Sequence, residues 1–330
     1  MKKYLLISSL FILLFSACSS KKVFEPKNVA NDWEKYGTLH EDVKGVASDA
    51  AILEDNTVLS SSGLLNVHVK EPYQLIAKSD KWVISATIDG KVQLQFIKDP
   101  TVVKNFDVKK TVATANVHQN LLAILLASDE MELYDIQSGK LLMQEQGNAP
   151  LAIDARIVKP YFMDDLVVFS TLDGKVVIIN TKLKKKLRSI IVSSAENFNN
   201  IISFNIVDNK IIALTGNKIL SLSQKEIREK YETRNLVYDD KTIYIATKDG
   251  RVLSLTPDLR EIAKLKFPFA HFLGMIMHND KLFILEKEGY LIVVDKDLKK
   301  YSIHEVDVDD GYVFVGDTKF YIADEFISVE

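Results

Sequence analysis

Tyr244-Ile245-Ala246-Thr247-Lys248-Asp249-Gly250-Arg251-Val252-Leu253-Ser254-Leu255 is the stretch on which the fold turns. Two alternating apolar runs flank Asp249-Gly250. Asp-Gly in that setting marks a tight hairpin, because a type I′ turn needs positive φ at both central residues. The same figure recurs. Ile84 to Val92 carries it around Asp89-Gly90, Val168 to Val176 around Asp173-Gly174, and Phe283 to Leu291 around Glu288-Gly289. Weaker copies stand at Ser62-Gly63, Asp129-Glu130, Gly216-Asn217 and Gly316-Asp317. The eight turns are spaced by about 36 residues on average, which is room for four short strands each.

The flanks repeat as well. An Asp/Asn-rich turn precedes most copies, as at Asp164-Asp165, Asp239-Asp240 and Asn279-Asp280. After most copies an apolar strand runs into a charged turn, as at Leu291 to Asp295 before Lys296-Asp297. Each unit therefore reads as a β-meander. One meander cannot bury both its faces, but units stacked radially cover each other and leave only short edges. The expected fold is all-β, a single β-propeller of eight blades, with seven as the alternative. Seven arises because the two end intervals are shorter, so the terminal units could share one blade closed by strands from both chain ends. Ser223 to Lys230 has a helix-like start, but it aligns with the outer strand of the other units and is read as strand, since tertiary context overrides propensity.

Composition agrees with a globular chain: 330 residues, 47% hydrophobic and 26% charged. Formal net charge is −3, from 42 Lys+Arg against 45 Asp+Glu, so no strong positive field exists to hold nucleic acid. The one cysteine, Cys18, excludes an internal disulfide and a Cys-based zinc site. Residues 1–17 have the pattern of a signal peptide: Lys2 and Lys3, then an apolar stretch from Leu5 to Phe15. Phe15-Ser16-Ala17-Cys18 resembles the bacterial lipobox, with Phe15 where Leu is usual. The resemblance implies cleavage before Cys18 and diacylglycerol on its sulfur. Ser19 after it implies the outer membrane, where Asp would imply retention at the inner one. The expected organisation is a lipoprotein signal peptide over 1–17, a lipidated Cys with tether and lead-in over 18–46, and the propeller over 47–330. The membrane is then reached through the lipid anchor only.

The repeats are similar to the PQQ-like propeller repeat. Asp249 to Leu255 fits the first half of its consensus and Asp135-Ile136-Gln137-Ser138-Gly139-Lys140 the second. The tryptophan that normally ends each repeat is missing, since the chain has only Trp33 and Trp82. Address and repeats together resemble the BamB family, the propeller lipoproteins of the outer-membrane β-barrel assembly machinery. That resemblance implies a non-catalytic scaffold, a monomer within a complex on the periplasmic face, which binds the periplasmic domains of the insertase subunit. The alternatives are a periplasmic lipoprotein that binds carbohydrate or peptide, and a PQQ-like enzyme. Two tryptophans are too few for the quinone stack, so no cofactor is expected.

No catalytic constellation is legible. His40, His68, His118, His271, His278 and His304 show no ligand spacing, and a zinc site wants three or four convergent ligands. Asp307 to Gly311 hints at a calcium loop, but its glycine is one position early and Thr318 stands where the closing Glu belongs, so it reads as a turn. Lys182 to Arg188 is the densest basic run and reads as a solvated turn and outer strand. For partner binding the candidates are Phe198, Asn199 and Asn200 in a polar inter-blade loop, and Phe267, Phe269 and Phe272 in the most apolar connector.

Overall fold

The structure is a computed structural model and describes residues 22–195 and 197–330. Cys18 and the signal stretch lie outside the described residues. Within them every regular element is a strand, from β1 (Tyr36–Thr38) to β32 (Glu325–Ser328), in eight four-stranded antiparallel sheets. The chain is an eight-bladed β-propeller. Seven blades consist of four consecutive strands. Blade 1 runs from β2 (Val43–Val46) through β3 (Ala50–Leu53) and β4 (Thr57–Ser60) to β5 (Gly63–His68), and blade 7 ends at β29 (Tyr301–Glu305).

Blade 8 is composite. Its sheet order is β1-β32-β31-β30, with β30 at Val313–Val315 and β31 at Lys319–Ile322. β1 pairs with β32 at Tyr36↔Ile327, Gly37↔Phe326 and Thr38↔Glu325. Both chain ends thus close the ring, and they do so within eight blades rather than seven. The ring begins at Tyr36, upstream of the expected boundary at 47, because β1 and β2 are already blade strands. Residues before β1 are also packed. The Ala30 N–H donates to Ile303 O at 2.7 Å, and Phe24 is buried between blades 6 and 7.

The core is distributed over eight seams between neighbouring blades. Val167 and Phe169 face the blade 3 seam, while Val168 between them faces blade 5. Strand side chains alternate in direction, so a blade covered on both faces needs apolar residues at nearly every position. That is why Ile243 to Thr247 is buried throughout. Each such Leu, Ile or Val contributes about 1.5–3 kcal/mol on burial. The helix-like Glu226–Lys230 segment is strand β21, paired with Lys218–Leu222, and the basic run enters the exposed outer strand β17 (Lys185–Ile191).

The terminal turns differ from expectation. In blades 2 to 7 the recurring turn joins the second and third strands. In blade 1 that position belongs to Asp55-Asn56, with Asn56 at φ 68°, and Ser62-Gly63 joins the third and fourth strands. In blade 8 it belongs to Ala323-Asp324, and Gly316-Asp317 joins the first and second. Asn tolerates the left-handed region without glycine. Each end unit still carries one such turn, so the count of eight turns matches eight blades.

Candidate functional site

The recurring turns and the connectors between blades lie on one face. Four connectors are strapped to the preceding turn by a backbone bond. Val108, Val192, Phe267 and Val306 donate their N–H groups to the carbonyls of Gly90, Gly174, Gly250 and Gly289 at 2.8–3.0 Å. The turn has its own lock. Thr87, Thr171 and Thr247 donate their hydroxyls to Asp89, Asp173 and Asp249 and accept the N–H groups of Lys91, Lys175 and Arg251. Glycine is required at position 250 twice over: φ is +80°, and a Cβ would stand 2.2 Å from Phe267 O. Loops held this way can present side chains without ordering cost at the moment of binding.

Two connectors stand out on this face. Residues 146–160 lead from blade 3 into blade 4, and residues 192–202 lead from blade 4 into blade 5. They are tied together, for Phe198 donates its N–H to Ala152 O at 3.0 Å. Asn200 accepts from the Asp154 N–H at 2.7 Å and donates to Arg156 O at 2.8 Å and Asp154 O at 3.2 Å. Asn199 donates to Asp173 O and Ser193 O, both at 2.9 Å. The two amides are therefore buried braces. Among exposed polar residues such as Asn148 and Asn197, the loops display two large apolar side chains: Leu151 is 90% exposed and Phe198 61%. On the same face, Ile88 in the blade 2 turn is 82% exposed.

From Asp154 the first connector descends through the central channel. Arg156 donates to Arg234 O on the innermost strand of blade 6. Asn116 of blade 3 donates to Pro160 O at 2.7 Å, and the Lys159 N–H donates to Ser48 Oγ of blade 1 at 3.1 Å. The Lys159 ammonium reaches Asp49 and donates to Lys78 O of blade 2 at 2.7 Å. Residues 154–160 thus plug the ring, which explains why the innermost strand of blade 4, Tyr161–Met163, is only three residues long.

A carboxylate pair lies beneath these two connectors. Asp129 is fully buried, and its Oδ1 accepts the Leu172 N–H at 2.6 Å. Burial pushes the Asp129 carboxyl up to about 7, and the nearby Asp173 carboxylate adds to the rise. Burial also acts on Asp173, but hydrogen bonds from Lys175, Thr171 and Asn148 outweigh it and hold that group low. Among the described residues no three His, Cys, Asp or Glu side chains converge to hold a metal ion.

Of the residues singled out in the sequence, Phe198 and Phe269 are on the surface. Asn199, Asn200, Phe267 and Phe272 are buried and cannot make first contact with a partner. Phe267 and Phe272 belong to the seam between blades 6 and 7, where Phe267 packs edge-on against Phe24. Sequence reasoning missed Ile88 and Leu151. The signal for Ile88 is an apolar residue inside a turn, where the blade 6 turn has Lys248. It is ambiguous, because Leu172 occupies the same place in blade 4 and is buried.

A propeller whose one face is built from braced connectors with exposed apolar tips defines the class. In fold it is BamB-like. It matches BamB from Moraxella catarrhalis with a TM-score of 0.66 at 12% identity, over 90% of this chain and 98% of that one. The C-terminal WD40 domain of Sif2 matches with the same TM-score at 11% identity, over 92% and 100%. No family model matches the chain. In sequence it is 30% identical over 361 residues to the plasminogen-binding protein PgbB of Helicobacter pylori strain J99, covering 95% of this chain and 67% of that protein. The PgbB of strain 26695 is 28% identical, with 95% and 66% covered. The chain belongs to the PgbB family and spans about two thirds of the length of these relatives.

Proposed function

We propose that this chain is a lipid-anchored, protein-binding scaffold that docks its partner on the connector face of blades 2 to 5. The observation that carries the reading is the set of Ile88, Leu151 and Phe198, three large apolar side chains held outward on loops whose backbones are braced from below. Exposed apolar groups on rigid, polar-rimmed loops are what a protein interface offers as anchors. The BamB-like fold and the lipobox at Phe15 to Cys18 favour the outer-membrane insertase, through its periplasmic domains, as the partner. Membership of the PgbB family favours a second partner, plasminogen, after the name those relatives carry.

One experiment separates the two. The anchored chain is recovered from solubilised outer membrane, and in parallel the purified chain is offered the insertase's periplasmic domains and plasminogen. Recovery of the insertase, weakened by Phe198→Ala, supports the assembly role. Binding to plasminogen alone, with the same sensitivity to Phe198→Ala, supports the second reading. Binding to neither, with the chain itself well recovered, overturns the scaffold reading.

A further inference from the structure

The residues ahead of the ring are positioned rather than loose. Phe24 is buried under the blade 6 to blade 7 connector, edge-on to Phe267 at 6.2 Å and to Tyr290 at 5.6 Å. Ala30 and Trp33 donate N–H groups to Ile303 O and Glu305 O on β29, the outer strand of blade 7. The direction of the chain at Lys22 is thereby set, and the Lys22 ammonium lies 5.5 Å from the centre of the Phe269 ring. Cys18 is four residues upstream, and four residues span at most about 14 Å when extended.

Around that exit lies a surface that combines exposed apolar side chains with cations. Phe269 is exposed at the connector tip, Tyr301 is exposed at the start of β29, and Val23 lies between. The outer strand of blade 6, β25 (Glu261–Lys266), brings only its last residue, the exposed Lys266, to this surface, and Lys264 lies one pleat above it. Lys264 pairs with Glu261 and Lys266 with Asp249, both at the surface where water keeps such pairs weak. Lys22 and Lys27 add cations at the start of the leading segment, with Glu25 between them and Asp32 and Glu34 further on. Aromatic rings and long lysine stems beside a short lipidated leader match the layered chemistry of a bilayer interface, where rings sit at headgroup depth and ammonium groups reach the phosphates.

We infer that the rim of blades 6 and 7 at the Phe269 connector rests on the bilayer, which leaves the docking loops of blades 2 to 5 on the side of the ring turned away from it. The inference rests on acylation of Cys18. A leader this short keeps the ring near the membrane, and the residues it brings down are Phe269, Val23 and Tyr301.

The test uses the full acylated chain in vesicles of phosphatidylethanolamine and phosphatidylglycerol. Acylation consumes the only native thiol, so a cysteine introduced at 269 or 183 takes a spin label alone. Leu183, in an exposed turn of blade 4 on the opposite face, is the reference. The expected result is that the Phe269→Cys label is reached by membrane-soluble oxygen several-fold more than the Leu183→Cys label, and is several-fold better shielded from a water-soluble relaxant. Mass spectrometry of the mature N-terminus precedes the measurement. An unacylated Cys18 overturns the anchoring and this inference together. An acylated chain whose two labels are equally wet overturns this inference alone.

Discussion

The Lys159 ammonium crosses the channel to the Asp49 carboxylate, a partner 110 residues away in the chain. Through it the plug of blade 4 holds the first turn of blade 1, which in turn accepts the Lys78 N–H of blade 2 at 2.9 Å. Three blades meet in one ion pair, and both side chains are about 29% exposed. Partial solvation tempers its strength to about 1 kcal/mol or less. Lys159→Met and Asp49→Asn, measured singly and together by urea unfolding, should show a coupling near that size. Additive effects would mean that the plug is not held by this pair.

Ring closure offers a sharper lever. The Phe326 ring lies over Gly37, so that a Cβ there would come within 2.2 Å of it. Gly37→Ala should cost about 1–3 kcal/mol by overpacking the β1–β32 pair. Phe326→Ala in the same chain should recover part of the loss, although it forfeits the ring's contacts with Tyr321 and Lys319. A Gly37→Ala chain that melts like the parent would show that β1 is dispensable.

Deleting the chain from Asp307 removes β30, β31 and β32 and leaves β1 without a sheet. The unpaired edges and the uncovered seam of blade 7, with Phe283, Leu285 and Leu291, should unfold the ring as a whole. A truncated chain with the parent's melting curve would contradict closure as the source of stability.

The Asp129–Asp173 pair predicts a pH effect with a definite sign. The folded Asp129 carboxyl is raised to about 7 from 3.8, so the native state binds its proton more tightly than the unfolded chain does. Its favourable contribution is complete below the ordinary value and disappears as pH climbs to about 7. Asp129→Asn keeps an acceptor for the Leu172 N–H and removes the charge. Relative to the parent it should therefore stabilise by about 2 kcal/mol more at pH 8 than at pH 5. An equal difference at both pH values would refute the assignment.

Asn200 and Phe198 divide structure from binding. Asn200→Ala abandons three hydrogen bonds of a buried amide and should cost about 1–3 kcal/mol of stability. Phe198→Ala should leave the melting temperature unchanged and weaken partner binding about fivefold or more, as an exposed anchor does. If Phe198→Ala lowers the melting temperature as much as Asn200→Ala, the ring is packing rather than docking surface.

Much of this was legible in the residues. Thr247-Lys248-Asp249-Gly250-Arg251 announces its turn because the signal is local, one hydroxyl reaching two residues on and one glycine at positive φ; Asp249 does not share that φ, so the turn is not the type I′ that Asp-Gly suggests. The same rule failed at the ends, where Asn56 and Ala323 adopt positive φ without glycine, at 68° and 48°. Pairing on both sides determines those turns, and a glycine nearby drew the reading to Ser62-Gly63 and Gly316-Asp317 instead. Of the docking face, Phe198 could be found as the one large aromatic in a polar loop. The neighbouring Asn199 and Asn200 looked equally available, because a polar side chain in a loop carries no mark of whether water or a carbonyl satisfies it.

By itself the amino-acid sequence determined the strands, their burial on both faces and the repeating unit, since these follow from a period of two and a turn chemistry that acts within five residues, while the closed ring decided for eight blades over seven. Only the tertiary structure decided that Tyr36 to Thr38 would close blade 8, that residues 154–160 would fill the channel, and that Ile88, Leu151 and Phe198 would share one face. Those relations join residues tens to hundreds of positions apart. They come into being when the ring closes and brings blade against blade, and no local pattern of side chains encodes that distance.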